Sequence, residues 1–387
     1  MRRVRPEAGP LRLTGTGEAL VIWFGTRLAL ASFTLLASYL LGLDAGGRLT
    51  GPGAWALERF TWWDSFQFLR TAERGYLPPE APCCSQAFFP GYPLAMRALG
   101  PFTGGNLALA GVVVSLLAGC GAAVLLWHLA ARATGSPAAG RAAVLLLAVA
   151  PYGIFLSAVY TEALFLALAL GAWYAGARRS WWVAGLFVGL ATGVRVNGVF
   201  VALGLAVMYL VQLRAEGRRL PRVDVLALGS PLLVVGGYFA YLHALTGSWN
   251  AWREAEERGW GRRTAWPWQG MAEGWRSATT AGAPDLVVSR WADLVVTVLG
   301  IVLVAVLLRL RRWPEAAYVL PNVLVLVCST TLISAPRYAL LWFPAYLLLA
   351  DLVVRPRWRW LLPVLLVGCL PLLGAVTLSF SAHLWTA

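Results

Sequence analysis

Four residues far apart in this 387-residue chain could do chemistry together: Asp64, Glu162, Arg195 and Arg337. Asp64 lies in RFTWWDSFQFLRTAERGY (59–76), where aromatic residues are mixed with two acids and three arginines. Trp63, Phe66, Phe68 and Leu69 suit an amphipathic helix along a membrane interface, with Asp64, Gln67 and Phe68 on one face at i, i+3 and i+4. Aromatic side chains favour headgroup depth, so the stretch also reads as an anchor helix whose Asp64 merely faces water. Glu162, in SAVYTEALFLALAL, opens an apolar helix beside Tyr160 and Thr161. It is either an acid set against the helix dipole or a second acid facing a cavity. Arg195 and Asn197, in LATGVRVNGVFV, end a short apolar run, and Arg337 and Tyr338, in STTLISAPRYALLWFP, separate two others. An unpaired Arg facing lipid is costly, so each points to a polar cavity, with snorkelling as the alternative.

One carboxylate and several guanidiniums at a membrane surface suit the transfer of a sugar from a lipid phosphate. The leaving phosphate needs its charge stabilised more than it needs a proton, so Arg can serve. The acceptor hydroxyl needs a base, and one Asp within hydrogen-bond reach suffices. The lipid tail would hold such a site at bilayer depth. Other chemistry has less support. His128, His243 and His383 are scattered and lack a zinc or Ser-His pattern, and no phosphate-binding Gly motif stands in the required context. Two acids could share a divalent metal, but nothing in the spacing requires one, so no metal ligand and no cofactor is implied.

The elements that must position these residues are membrane helices. The chain is 59% hydrophobic and 13% charged, against roughly 25% charged in soluble domains. Hydrophobic stretches long enough to cross a bilayer recur along it, which predicts an all-α polytopic membrane protein. Barrel-type alternating segments are absent. Eleven spans are expected near 19–43, 104–131, 141–158, 160–177, 181–195, 198–213, 223–245, 287–308, 315–333, 338–353 and 360–380. The stretch 87–102, with FFPGYP, reads as an interfacial or re-entrant piece. The net charge of +14 comes entirely from Arg, which reads as the codon bias of a GC-rich, bacterial genome. The arginines sit in short loops, as the positive-inside rule expects, not on a contiguous face for nucleic acid.

With the N-terminus cytoplasmic, the inner segments carry eighteen Arg and six acids, and the outer side thirteen Arg and twelve acids. The basic start followed by a long apolar run reads as a retained first helix, not a cleaved signal. The whole chain, 1–387, is expected to form one integral membrane domain in a cell membrane, with two long extracytoplasmic loops at 44–87 and 246–286. The second loop carries Trp249, Trp252, Trp260, Trp266 and Trp268, either a platform for sugar rings or an interfacial belt. Cys83 and Cys84 are adjacent in the first loop, and at least one is expected to stay a free thiol.

Four blocks, in order along the chain, resemble the PIG-V family, the GPI mannosyltransferase 2-like proteins of the GT-C class. They are WWDSFQF with Gly75-Tyr76, AFFPGYPLAMRALG, the long block from SAVYTEALFL to ATGVRVNG, and APRYALLWFPAYLLLA. The resemblance implies a GT-C fold with an extracytoplasmic active site, a polyprenyl-phosphate-linked mannose donor and inverting transfer. It implies Asp64 as the base and Glu162 as a second site acid. Charge then assigns Arg195 and Arg337 to the donor phosphate. Trp63, Gln67, Tyr76, Tyr92, Tyr160, Asn197 and Tyr338 are expected to line the substrate site. The acceptor stays open among glycolipids, lipoglycans and proteins, and the sugar could be other than mannose. The rival classes are a lipid or small-molecule transporter or flippase and a non-catalytic partner of a glycosyltransferase. A transporter would favour repeats and ionisable groups at mid-membrane, whereas here no repeat is evident and the ionisable groups sit mostly at the outer ends of spans, Arg27 excepted.

Overall fold

The computed structural model describes residues 13–44, 46–51, 53–76, 83–217 and 222–384; the basic start of the chain lies outside them. Among the described residues the regular structure is helical. The order is α1 (Leu13–Leu40), α2 (Ala54–Glu58), α3 (Ser65–Arg74), α4 (Gly91–Leu99), α5 (Leu107–Thr134), α6 (Pro137–Ala148), α7 (Glu162–Ala177), α8 (Trp181–Val194) and α9 (Gly198–Ala215). It continues with α10 (Ser230–Thr246), α11 (Ala251–Trp260), α12 (Pro267–Thr280), α13 (Pro284–Arg309), α14 (Trp313–Val327), α15 (Ala335–Leu340), α16 (Phe343–Val353) and α17 (Leu361–Ser381). Each of the eleven expected spans contains one of these helices. Among the described residues six helices are long and apolar enough to cross a membrane: α1, α5, α9, α13, and α10 and α17 with the short turns that precede them. The other five, α6, α7, α8, α14 and α16, are shorter and equally apolar. The chain is an all-α polytopic membrane protein.

Local sequence sets the breaks. Gly135, at φ +73°, ends α5 in the left-handed conformation that a glycine adopts without strain. Pro137 opens α6 where a missing N–H costs nothing. Small residues let the helices approach closely. A Cβ at Gly119 of α5 would come 2.1 Å from the Trp23 ring of α1. α7 is buried along most of its length, so its first residue, Glu162, is carried into the interior of the bundle.

Three features prepare the site. Arg27, inside α1, donates to Gly153 O at 2.8 Å, to Ser157 Oγ at 3.3 Å and to Ala148 O. An intramembrane guanidinium thus closes the end of α6 and the turn leading to Tyr160. In the stretch 87–102, α4 is too short to span. Its Gly91 lies on the end of α8, where a Cβ would meet Gly193 O at 2.6 Å, two residues before Arg195. α3 buries Phe68 against the rings of Phe88, Tyr92 and Tyr160, with centroids 4.9, 5.4 and 6.1 Å away. The expected shared face of Asp64, Gln67 and Phe68 is therefore divided. Asp64 precedes the helix and, with Gln67, faces a cavity, while Phe68 points into the core because the aromatic cluster takes it up.

Candidate active site

Asp64, Glu162, Arg195 and Arg337 meet at one end of the bundle. Arg337 Nη1 lies 2.9 Å from Asp64 Oδ2, and its Nε lies 3.1 Å from Glu162 Oε1. Arg195 Nη1 lies 2.9 Å from the same Glu162 oxygen and 2.8 Å from Thr161 Oγ1. Glu162 is fully buried, and Arg337 is 7% exposed. The aromatic faces of Tyr160 and Phe155 stand 4.6 and 4.9 Å from the Arg337 guanidinium. Two acids and two bases therefore form a charge-neutral cluster, the condition under which ions survive away from water.

Asp64 is the member that opens onto a cavity of about 850 Å³, whose walls include Trp62, Trp63, Gln67, Trp260 and Arg290. Its backbone is held there. Tyr160 OH donates to Trp62 O at 2.9 Å and accepts from Asp64 N at 3.2 Å. Trp63 adopts φ 58°, an uncommon conformation for a bulky residue and one that recurs at functional sites. Ser334, at φ 67°, stands in the same way just before Arg337.

The structure distributes the other expected residues. Trp63 and Gln67 line the cavity, and Gln67 Nε2 also donates to Cys83 O at 3.1 Å. Tyr338 lies beneath Arg195, 5.2 Å from its guanidinium. Tyr160 is fully buried, so it positions Asp64 instead of lining the site. Asn197 is buried and donates to Asn322 Oδ1 at 2.8 Å, tying α9 to α14. Tyr92 belongs to the core; its OH donates to Gly111 O at 2.8 Å and shares a hydrogen bond with Ser115. Tyr76 lies in a separate cavity of about 400 Å³ between α4 and α10, with its OH donating to Phe88 O at 2.6 Å. These four are placed by the hydrogen-bonding needs of buried polar groups. Glu162, read as catalytic from sequence, has no exposed surface and contacts the two guanidiniums. The sulfurs of the adjacent Cys83 and Cys84, one of which was expected to be a free thiol, are placed against each other. Their side chains close on each other in the turn before Ser85–Ala87.

Of the six Trp in 246–286, Trp260 alone lines the cavity, and Trp275 packs edge-on against Trp291. Trp266 and Trp268 stack on each other in solvent, Trp249 stacks on His243, and Trp252 packs on Phe239. The segment nevertheless reaches the site through Arg262. Arg262 Nη1 lies 3.2 Å from Glu256 Oε2 and 3.2 Å from Tyr338 OH, and its Nη2 donates to Ile333 O at 3.2 Å. Burial pushes the Glu256 carboxyl above its ordinary range, and the Arg262 charge pulls it back.

Three more residues escaped sequence reasoning. Asp293, an acid inside an apolar span, accepts from Ala335 N at 2.8 Å and so fixes the start of α15, which carries Arg337. An ionisable residue in a span is itself a signal of this kind. His383, read as one of three scattered histidines, lies against Trp62 in the cavity wall. Burial, and then the charge of Arg59, hold its imidazole below the usual range. Arg48 places its guanidinium over Phe66, 4.4 Å from the ring centroid. Among the described residues no group of three or more His, Cys, Asp or Glu side chains is placed to hold a metal ion.

Residues 53–217, which contain Asp64, Glu162 and Arg195, match the family described as Mannosyltransferase (PIG-V). Over this segment the chain is similar to the PIG-V family. It is similar to GPI alpha-1,6-mannosyltransferase 2 of Mus musculus, 38% identical over 151 residues that make up 37% of this chain and 30% of the mouse protein. It is similar also to the human protein of that name, 36% identical over 35% of this chain and 29% of the relative. GPI mannosyltransferase 2 of Chaetomium globosum is 29% identical over 231 residues, 51% of this chain and 48% of the fungal protein. The chain thus spans about a third to a half of the length of these relatives. The family match ends before Arg337, whose place in the site rests on its contacts with Asp64 and Glu162.

Proposed function

We propose that this protein is an inverting mannosyltransferase of the GT-C type. It would move mannose from a polyprenyl-phosphate donor to a glycolipid, lipoglycan or protein acceptor at the extracytoplasmic face of a cell membrane. The N-terminus would be cytoplasmic, with 44–87 and 246–286 as the extracytoplasmic loops. The observation that carries the reading is the placement of Asp64. It is an acid at the mouth of a cavity of about 850 Å³, one of whose oxygens is engaged by Arg337 and whose other oxygen accepts no side-chain bond from the site arginines.

In this reading the acceptor hydroxyl enters the cavity and gives its proton to Asp64 as its oxygen attacks the anomeric carbon. The bond from that carbon to the phosphate oxygen breaks on the opposite side, so the configuration inverts and the polyprenyl phosphate leaves as an anion. General-base assistance of this kind contributes about 10²–10⁴-fold. Arg337 orients Asp64, and Glu162 balances Arg337 and Arg195 from below. Trp63 and Trp260 offer aromatic faces to the sugar.

The test uses purified protein in nanodiscs with radiolabelled polyprenyl-phosphomannose and a membrane lipid extract as acceptor, with and without EDTA. Label should pass into a new product with wild type and fall at least about a hundredfold with Asp64→Asn. An Asp64→Asn protein as active as wild type would overturn the base assignment. A wild type that transfers nothing from this donor would overturn the donor. Loss of transfer in EDTA would add a metal to the mechanism.

A further inference from the structure

We infer that the phosphate of the lipid-linked donor is held by Arg48 and Arg290, and not by the arginines of the ion cluster. The inference rests on the transferase reading and identifies the anion subsite within the same cavity.

The first argument is charge balance. Arg195 and Arg337 are each within 3.1 Å of a carboxylate oxygen, and their side chains are only 13% and 8% exposed. Neither belongs to the wall of the cavity that Asp64 faces. A phosphate binding them would have to displace a buried carboxylate, and leaving a buried ion without its partner is strongly unfavourable.

Arg48 and Arg290 are different. Both line the cavity with Asp64. The guanidinium of Arg48 rests on the faces of Phe66 and Trp62, at 4.4 and 5.5 Å, and no carboxylate among the described residues pairs with it. Its side chain is therefore oriented by aromatic rings and forms no ion pair among the described residues, while its backbone N–H donates to Glu58 Oε1 at 2.8 Å. Arg290 projects from α13 and donates one Nη1 bond to Leu332 O at 3.1 Å. Its nearest carboxylate oxygen, Asp293 Oδ2, stands 3.8 Å away, beyond hydrogen-bond length. A guanidinium has five N–H donors in a planar fork that matches phosphate oxygens, so Arg290 keeps donors for a ligand.

The chemistry needs two such cations. The donor is a phosphodiester with one negative charge. When the bond from the anomeric carbon to the phosphate oxygen breaks, both bonding electrons stay on that oxygen, and the departing phosphate monoester gains a second charge. One guanidinium balances the donor as it binds. The second meets charge that appears only in the transition state, which is where an interaction accelerates a reaction.

The experiment measures binding of radiolabelled polyprenyl phosphate and of uncharged polyprenol of the same length to the full chain in nanodiscs. Wild type should prefer the phosphate, R48Q and R290Q should each reduce that preference by about tenfold, the scale of a charge-assisted hydrogen bond, and the double variant should abolish it. Polyprenol binding should not change. R290K, which keeps the charge but loses the fork, should fall between wild type and R290Q, and it serves if R290Q does not fold. A double variant that retains the wild-type preference would overturn the assignment to Arg48 and Arg290 while leaving the transferase reading intact. A wild type with no preference for phosphate would overturn the donor reading itself.

Discussion

Arg337 holds two carboxylates at once, Asp64 Oδ2 at 2.9 Å and Glu162 Oε1 at 3.1 Å, so the acid facing the cavity and the acid buried beneath it share one cation. The 273 positions between Asp64 and Arg337 are bridged by a single guanidinium. Perturbing any member of this cluster should be felt by the rest.

Glu162→Gln leaves Arg195 and Arg337 together with one carboxylate between them. Removing one partner of a buried pair costs about 3–5 kcal/mol. The variant should melt well below wild type in detergent. Adding Arg195→Gln should recover part of the loss, because it removes the cation that Glu162 had balanced. A double variant no more stable than the single would show that the two do not couple.

Arg337→Lys preserves the charge but replaces a planar fork with a point donor. It can serve Asp64 or Glu162 but not both in the present geometry. Transfer should fall by roughly a hundredfold, the scale of a lost general base, while the melting temperature falls less than in Arg337→Gln. Wild-type turnover in Arg337→Lys would mean that charge alone suffices.

Arg262 is the tie between the 246–286 segment and α15. Arg262→Gln should raise KM for the donor with a smaller effect on kcat and speed proteolytic cleavage within 246–286. Tyr338→Phe deletes one hydroxyl and should cost about 1 kcal/mol of stability, because the ring remains under Arg195. Unchanged proteolysis in Arg262→Gln would show that other contacts hold the segment.

His383 supplies a pH signature. Its folded-state pKa lies below the ordinary value of 6.5, chiefly through burial. The unfolded chain therefore takes up the proton more readily, and stability rises with pH in this range. The contribution is present above about pH 6.5 and is lost as pH falls through the lower folded value. The melting temperature should drop between pH 7.5 and 5.5, and His383→Phe, which keeps a ring against Trp62, should flatten that slope. Equal slopes in both proteins would assign the pH dependence elsewhere.

The sequence by itself determined the solvent and the element type. Apolar runs of span length admit only helices in a bilayer, and each of the eleven runs forms one. It also singled out Asp64, Glu162, Arg195 and Arg337, because a charge at the end of an apolar run is conspicuous where few charges occur. Pairing was a tertiary decision. No spacing rule states that Arg337 of α15 reaches past Glu162 of α7 to Asp64 before α3, since the three come together only when α7 is buried between its neighbours. Tertiary structure likewise separated lining residues from packing ones. Tyr92, Tyr160 and Asn197 look like ligand-binding groups in sequence, but burial obliges their polar atoms to bond within the protein, and Tyr76 lines a different cavity. Asp293, His383, Arg48 and Arg290 carry no local motif, and their roles depend on what lies across the cavity. The sequence set which groups are charged; the fold decided which charges are already spent on one another and which still face the cavity.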